Sequence, residues 1–402
     1  MENWNLQNKK VILRVDFNVP IKNGIIQDDT RILKSVPTIQ FLMDKGACVI
    51  ILSHLGRPLK ELNQDGSIDK TKFSLEPIAD KLGEILNKKV LFATDCAEVD
   101  SLKKIAQLNS GEILLLENTR FYKQEEKGDP EWAKLLSTLG EYYINDAFGS
   151  AHREHCSTAT IARYFDAAHK AFGFLMKAEV ENGARVLKNP ARPMTAIIGG
   201  AKVSDKIELI SSLIDLCDTI LIGGGMAYTF LSAQGFSIGT SLCESEKKDL
   251  ALELITKARK KNMQLLLPTD SVIGKEFNNN TEIEITTDAF IKKDFMGLDI
   301  GPKTRRLYMD VIEKSKTIIW NGPLGVFEMD NFATGTREIA FAVAAATKNG
   351  AFSLIGGGDS VAAINKYELE DQVSFVSTGG GAMLEMLEGK ILPGVAAINE
   401  NA

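Results

Sequence analysis

Ala196-Ile197-Ile198-Gly199-Gly200-Ala201-Lys202 joins an apolar run to a glycine turn and then to a lysine. The scheme recurs at Ile220-Leu221-Ile222-Gly223-Gly224-Gly225-Met226, at Leu354-Ile355-Gly356-Gly357-Gly358-Asp359 and at Phe375-Val376-Ser377-Thr378-Gly379-Gly380-Gly381. Each junction reads as a buried strand handing over to a turn of bare backbone. In open α/β sheets such turns lie at the carboxyl ends of strands, where ligands bind. Without a Cβ, backbone N–H groups can approach a phosphate closely. One glycine triplet is ordinarily just a turn, Lys202 alone a solvated amine, and Asp359 alone a helix N-cap. Repetition at corresponding places, once with Lys202 and once with Asp359, points to a nucleotide phosphate site.

Outward from these junctions, strand-like and helix-like segments alternate, the pattern of parallel α/β sheets. In the first half, strands are predicted at Val11 to Val15, Cys48 to Ser53, Val90 to Phe92, Ile113 to Glu117 and Tyr142 to Asn145. Several are continuously apolar, as when helices cover both faces. Helical patterns span Thr30 to Lys45 and Leu75 to Asn87. In the second half, Ile207, Ile210, Ile214 and Cys217 form a helical stripe behind the N-cap candidate Ser204. Further strands are predicted at Gln264 to Leu267, Thr317 to Trp320, Ala351 to Ile355 and Val373 to Val376. Asn278-Asn279-Asn280 reads as a polar surface turn. Leu175 to Leu187 reads as a connecting helix, which puts the join between halves near residue 175.

The chain of 402 residues is long enough for two or three domains. A hydrophobic content of 44% with 25% charged residues is that of a globular chain with an ample core. A net charge of -6 argues against a general nucleic-acid binder. The N-terminal residues lack the apolar core of a secretory signal, and no apolar stretch is long enough to span a bilayer. Cys48, Cys96, Cys156, Cys217 and Cys243 are far apart, which disfavours zinc and disulfides and suits a reducing cytoplasm.

Arginine or histidine follows most strands of the first half. Arg14 and Asp16 follow the apolar run Val11-Ile12-Leu13 of the first strand, His54 and Arg57 follow the second strand, Arg120 the fourth, and His152 and Arg153 the fifth. Arg31 opens a helix, a poor place for a cation if only the macrodipole mattered. A lone arginine after a strand is usually a surface or ion-pairing residue, and a lone histidine such as His54 is usually structural. Parallel strands would bring these side chains to one edge, where guanidinium forks suit a small polyanion. No G-x-x-x-x-G-K-[ST] is present, and the glycine turns do not spell G-x-G-x-x-G, so neither a P-loop nor a dinucleotide site is indicated.

These residues resemble the phosphoglycerate kinase family. The likeness is carried by Arg14-Val15-Asp16-Phe17-Asn18-Val19-Pro20, Ser53-His54-Leu55-Gly56-Arg57-Pro58, Glu117-Asn118-Thr119-Arg120-Phe121 and Asn145-Asp146-Ala147-Phe148-Gly149. It continues through Gly199-Gly200-Ala201-Lys202-Val203-Ser204-Asp205-Lys206, Trp320-Asn321-Gly322-Pro323, Gly325-Val326-Phe327-Glu328 and the last two glycine junctions.

The resemblance implies two Rossmann-like three-layer α/β domains with parallel sheets facing each other across a hinged cleft. The first would span 1–175, with the tail 392–402 packing back on it, and bind 3-phosphoglycerate or 1,3-bisphosphoglycerate. The second, 176–391 including the connecting helix, would bind Mg2+ with ATP or ADP. Asp16, Asn18, Arg31, His54, Arg57, Arg120 and Arg153 would hold the glycerate substrate. Lys202, Lys206, Gly224, Gly297, Asn321, Glu328 and the Gly356-Gly357-Gly358-Asp359-Ser360 turn would hold the nucleotide, with Asp359 on the metal. Arg31, Lys202 and Gly380 would act on the phosphoryl group in transfer. A monomeric cytoplasmic kinase of glycolysis, with no membrane or nucleic-acid partner, is the expectation. The chain departs from the family at Glu154, beside Arg153; in an extended segment it would face away.

Overall fold

The computed structural model of the chain describes residues 1–22 and 24–399. Its first strands are β1 (Lys10–Arg14), the short hairpin β2 (Ile21–Lys22) and β3 (Ile25–Ile26), β4 (Cys48–Leu52), β5 (Val90–Ala93), β6 (Ile113–Leu116), β7 (Tyr142–Asn145) and β8 (Lys170–Phe172). All but the hairpin form one six-stranded parallel sheet in the order β5-β6-β4-β1-β7-β8. The continuous apolar runs are explained by what covers each face. Ile12, Ile50, Leu52 and Leu114 point into one core with Trp132, Leu136 and Ile161. Val11, Leu13, Val49, Ile51 and Leu115 point into the other, against Ile32, Ile39 and Leu42 of the helix Thr30–Asp44 and Ile78 and Leu82 of the helix Glu76–Leu86. Alternate residues thus serve opposite cores, and the layers are helix, sheet, helix.

The strands that follow are β9 (Met194–Ile198), β10 (Thr219–Ile222), β11 (Gln264–Leu266), β12 (Ser271–Gly274), β13 (Ile283–Ile285), β14 (Met296–Ile300), β15 (Thr317–Asn321), β16 (Phe352–Gly356) and β17 (Phe375–Val376). Six of them make a second parallel sheet in the order β11-β10-β9-β15-β16-β17. Counted within the sheet this is the doubly wound order 3-2-1-4-5-6, whose ligand crevice lies beyond the carboxyl ends where the order reverses, between β9 and β15. The register makes that edge flush: Ile198 pairs with Ile222 and with Asn321, and Asn321 with Gly356. The strands β13-β12-β14 form a separate antiparallel sheet.

By internal packing the chain divides into Met1–Glu181 with the tail from Ile391, and Asn182–Lys390. The division falls inside the helix Phe174–Lys188, a few residues beyond the join expected near 175. In the first unit the tail helix Pro393–Asn399 is tied down by Gly394 N–H to the Ala151 carbonyl at 2.8 Å and by Lys170 Nζ to the Ala397 carbonyl at 2.8 Å. Residues 400–402 of the expected tail lie outside the described residues.

Two local expectations need correction. Ser204 is not the N-cap of the helix Ile207–Leu216, which begins after Lys206. Its amide and hydroxyl are instead bound by the Glu244 carboxylate. Its apolar face is also Leu209, Ile210, Leu213 and Ile214, with Ile207 only half-buried. The antiparallel sheet was not expected, because Ile283–Ile285 is exposed along its whole length and carries no buried face to set a pattern. The asparagines 278–280 do lie in its β12–β13 turn.

The glycine after β9 has no room for a side chain. A Cβ on Gly199 would overlap the Pro323 carbonyl, which is backbone and cannot move aside. Gly199→Ala is expected to destabilise the second unit by at least ~2 kcal/mol, read as a lower urea midpoint with unchanged far-ultraviolet circular dichroism at zero denaturant.

Candidate functional site

At the carboxyl edge of the first sheet, Arg14, Leu52 and Asn145 are in register. The segments that leave them bring the basic residues together. Arg14 is wholly buried and its Nη2 lies 3.0 Å from His54 Nδ1. Asp16 Oδ1 accepts from Arg31 Nη1 at 3.0 Å and from Asn18 N at 3.1 Å, and lies 4.0 Å from His54 Nε2. Arg31 Nη1 also donates to the Asn18 carbonyl at 3.2 Å. These contacts, rather than the macrodipole, account for a cation in the first turn of its helix. The Asn18 amide oxygen takes the Gly56 N–H at 2.9 Å, and Arg120 Nη1 donates to the Gly56 carbonyl at 2.8 Å. Buried Asn118 fixes that loop: its amide bonds the Leu55 and Phe73 carbonyls and accepts from Leu55 N and Arg120 N. Arg57 extends from the same loop into solvent.

Arg153 is half-buried, and its Nε donates to His152 Nε2 at 3.1 Å. Glu154 beside it faces away, as expected, but not because the segment is extended. The backbone turns there, and an exposed ion pair with Arg163 draws Glu154 outward.

Burial and crowding of charge shape the titration of this edge. Burial, then the nearby Arg14, Arg120 and Arg31, holds the His54 pKa well below its ordinary value. His155 is lowered to about 3 by burial, then by Arg120 and Arg14. Burial brings Arg120 down to about 10, with Glu126 opposing. Both histidines are therefore neutral at pH 7, while Arg120 keeps its charge.

At the carboxyl edge of the second sheet, the turn after β9 lies against the turns after β10 and β15. Gly200, Gly224, Tyr228, Gly297, Pro323, Leu324, Glu328 and Asp359 line a cavity of about 350 Å³, together with Leu242, Phe277, Met296 and Leu298. Of the nucleotide residues suggested by the sequence, the cavity collects Gly224, Gly297, Glu328 and Asp359. Next to it, Lys206 Nζ donates to the Asn321 carbonyl at 2.9 Å and to its side-chain oxygen. Burial lowers the Lys206 pKa to about 8, with Asp359 and Asp205 opposing. Asn321 Nδ2 bonds the Gly356 carbonyl at 2.9 Å. Gly357 precedes the helix Gly358–Lys366, and Asp359 is exposed in its first turn. The Ser360 hydroxyl is buried and receives Gly322 N–H at 2.5 Å, so it braces the β15 turn. Lys202 is exposed on the loop after β9, and Gly380 opens the helix Gly380–Leu387. Tyr228, Leu242 and Phe277 gave no sequence signal, since apolar residues in a site look like any others.

Among the described residues, no group of three or more His, Cys, Asp or Glu side chains is placed to hold a metal, and no helix is long and apolar enough to cross a membrane.

A family model described as phosphoglycerate kinase matches residues 1–390. The chain belongs to the phosphoglycerate kinase family.

It is 47% identical over 402 residues to the phosphoglycerate kinase of Clostridium novyi (strain NT), covering 100% of this chain and 98% of that one. It is 49% identical over 395 residues to that of Dictyoglomus turgidum, covering 98% and 96%. The solved phosphoglycerate kinase of Coxiella burnetii superposes with a TM-score of 0.90 at 42% identity, over 100% of this chain and 99% of that one. That of Pyrococcus horikoshii OT3 does so with 0.82 at 33%, over the same shares. The chain is thus an ATP:3-phosphoglycerate 1-phosphotransferase of glycolysis, acting on small molecules.

The two neutral histidines carry a pH consequence. The folded state keeps His155 unprotonated down to about pH 3, whereas the unfolded chain protonates it near 6.5. A depressed histidine pKa leaves stability intact above pH 6.5 and erodes it as pH falls from there toward 3. His155→Gln is expected to lose about 1–2 kcal/mol less than the parent between pH 7 and 5. Urea unfolding at both pH values checks this; an unchanged difference would mean His155 is not held neutral.

Proposed function

We propose that the first unit binds the glycerate substrate and the second binds the magnesium nucleotide, each at the carboxyl edge of its sheet. The observation that carries this is the contrast between the two edges: one gathers arginines suited to a small polyanion, the other an apolar cavity rimmed by backbone turns. Asp16, Asn18, Arg31, His54, Arg57, Arg120 and Arg153 hold the glycerate. Lys202, Lys206, Gly224, Gly297, Asn321, Glu328 and the Gly356-Gly357-Gly358-Asp359-Ser360 turn hold the nucleotide, Ser360 through the backbone of its helix terminus.

The donor set suits magnesium. Asp359 offers one exposed carboxylate at the rim of the cavity. Mg2+ is commonly held by one or two carboxylates, substrate phosphates and waters rather than by an all-protein cage. When bound, the ion neutralises charge on the nucleotide phosphates.

In the direction of ATP formation, an ionised ADP oxygen attacks phosphorus, the bond from phosphorus to the acyl oxygen breaks, and a carboxylate leaves. No proton moves, so no general base is needed. What remains is positioning and charge stabilisation. Arg31 and Lys202 stabilise the charge of the group in transfer, and the Gly380 N–H adds a fixed dipole. Because different units hold the two ligands, hinge bending brings the reacting groups together. The enzyme acts as a cytoplasmic monomer.

Turnover of 3-phosphoglycerate and ATP, coupled to glyceraldehyde-phosphate dehydrogenase, is expected to require magnesium and to stop with EDTA; metal-independent turnover would remove Asp359 from its role. Arg31→Ala is expected to lower kcat at least ~100-fold while ADP affinity by calorimetry stays within about twofold. Near-normal kcat would remove Arg31 from the transfer step.

A further inference from the structure

A chain of buried polar groups leads to one histidine of the first unit. Glu125 is 1% exposed and is far in sequence from the strand ends it serves. Its Oε1 accepts from Ser157 Oγ at 2.5 Å and its Oε2 from Ser157 N at 3.1 Å. Ser157 Oγ accepts in turn from Arg14 Nε at 2.8 Å. Arg14 Nη1 donates to the Val15 carbonyl, and Nη2 meets His54 Nδ1 at 3.0 Å. Glu125, Ser157, Arg14 and His54 are all buried, so none of these contacts is diluted by solvent.

The direction of the last bond follows from chemistry. A guanidinium has donors and no acceptor. At the contact with His54, Nδ1 must therefore accept, and it can do so only when bare. A neutral ring with a bare Nδ1 carries its proton on Nε2. An imidazolium would oppose two N–H groups. The charged groups facing His54 are Arg14, Arg120, Arg31 and Asp16, with His155 nearby. Cations outnumber the single carboxylate, which further disfavours a second proton on the ring.

We propose that Glu125, Ser157 and Arg14 are positioning residues that hold His54 as its neutral Nε2–H tautomer, so that the glycerate substrate meets a directed neutral donor instead of a titrating cation. This rests on the reading of His54 as a substrate ligand. Glu125 supplies the counter-charge, Ser157 transmits its position, and Arg14 presents the N–H that selects the tautomer. Asp16 Oδ1 lies 4.0 Å from Nε2, beyond hydrogen-bonding distance, which leaves that hydrogen free for the substrate.

The test is long-range 1H–15N correlation on the full chain with labelled histidine, the four histidines being separable by a His54→Gln spectrum. His54 is expected to show a bare Nδ1 and a protonated Nε2, unchanged between about pH 6 and 8. Ser157→Ala is expected to give mixed His54 tautomers. It should raise the KM for 3-phosphoglycerate about three- to tenfold, the loss of one hydrogen bond, with a smaller change in kcat and an unchanged KM for ATP. An Nδ1–H or cationic His54 in the parent at pH 7 would overturn the proposal. So would a Ser157→Ala enzyme with the parental tautomer and KM. Glu125→Gln keeps the side-chain shape and tests the same chain if Ser157→Ala does not fold; if neither folds, the parental spectrum decides. A His54→Gln enzyme with normal KM, beside a parental Nε2–H spectrum, would instead overturn the substrate reading on which the proposal stands.

Discussion

The second unit depends on backbone packing against backbone at the ends of three neighbouring strands. Gly199 N–H bonds the Asn321 carbonyl, Gly200 N–H the Pro323 carbonyl, Gly224 N–H the Leu324 carbonyl, and Met226 N–H the Gly200 carbonyl, all at 3.0 Å. Such closeness is possible only where side chains are missing. Gly224 has φ +67, and a Cβ on it would sit 2.6 Å from both the nitrogen and the oxygen of Gly200. The turns after β9, β10 and β15 therefore fix one another. Once they are fixed, the cavity beside them has a rigid rim, and Lys206 can reach the Asn321 carbonyl without obstruction. The glycines are needed here for packing, because the close approach of the three turns excludes a side chain.

The first unit solves its problem with charge instead. Its strand ends bring arginines together, and that costs free energy unless something offsets their repulsion and desolvation. The offsets are visible. Asp16 faces Arg31, Glu126 faces Arg120 at 3.5 Å, and buried Glu125 reaches Arg14 through Ser157. Carbonyl oxygens of Val15, Asn18 and Gly56 take further guanidinium N–H groups. The price falls on the histidines, which crowding by cations keeps neutral.

Much of this architecture is legible in the sequence because its signals are local. A continuously apolar run such as Cys48 to Leu52, set in an alternating α/β pattern, is what a strand covered on both faces needs, and the structure buries all of it. The glycine junctions announce themselves by composition. The placing of Arg14, Asp16, His54, Arg120 and Arg153 after strands was enough to suggest convergence, since parallel strands end at one edge. Other features were hidden for physical reasons. The strand Lys170–Phe172 opens with a lysine, explained by its buried bonds to the Ala397 carbonyl, 227 residues away, and to the Ala162 carbonyl. Ser204 looked like a cap because Glu244, its real partner, is 40 residues distant. Glu125 and Ser157 could not be read as companions of Arg14, because the Arg14–Ser157 contact spans 143 residues.

On the proposed assignment of ligands, the two edges would answer different chemistry. A small polyanion has little surface to bury, so its binding must come from charge, and arginine keeps its charge throughout the working pH range. On the proposed assignment, a nucleotide's aromatic base would lie against apolar walls such as Tyr228, Leu242 and Phe277, and its phosphates would meet backbone dipoles. The proposed reaction needs no proton donor or acceptor, and the buried His54 and His155 are held in the neutral form. Burial also perturbs Lys206, whose pKa falls to about 8. Its bonds to Asn321 make it first a strut of the β15 turn, and its lowered pKa is a consequence of that burial. A positive group whose charge is expensive to hold is also one that gains most from a neighbouring anion. In the proposed nucleotide site, that anion would be a phosphate.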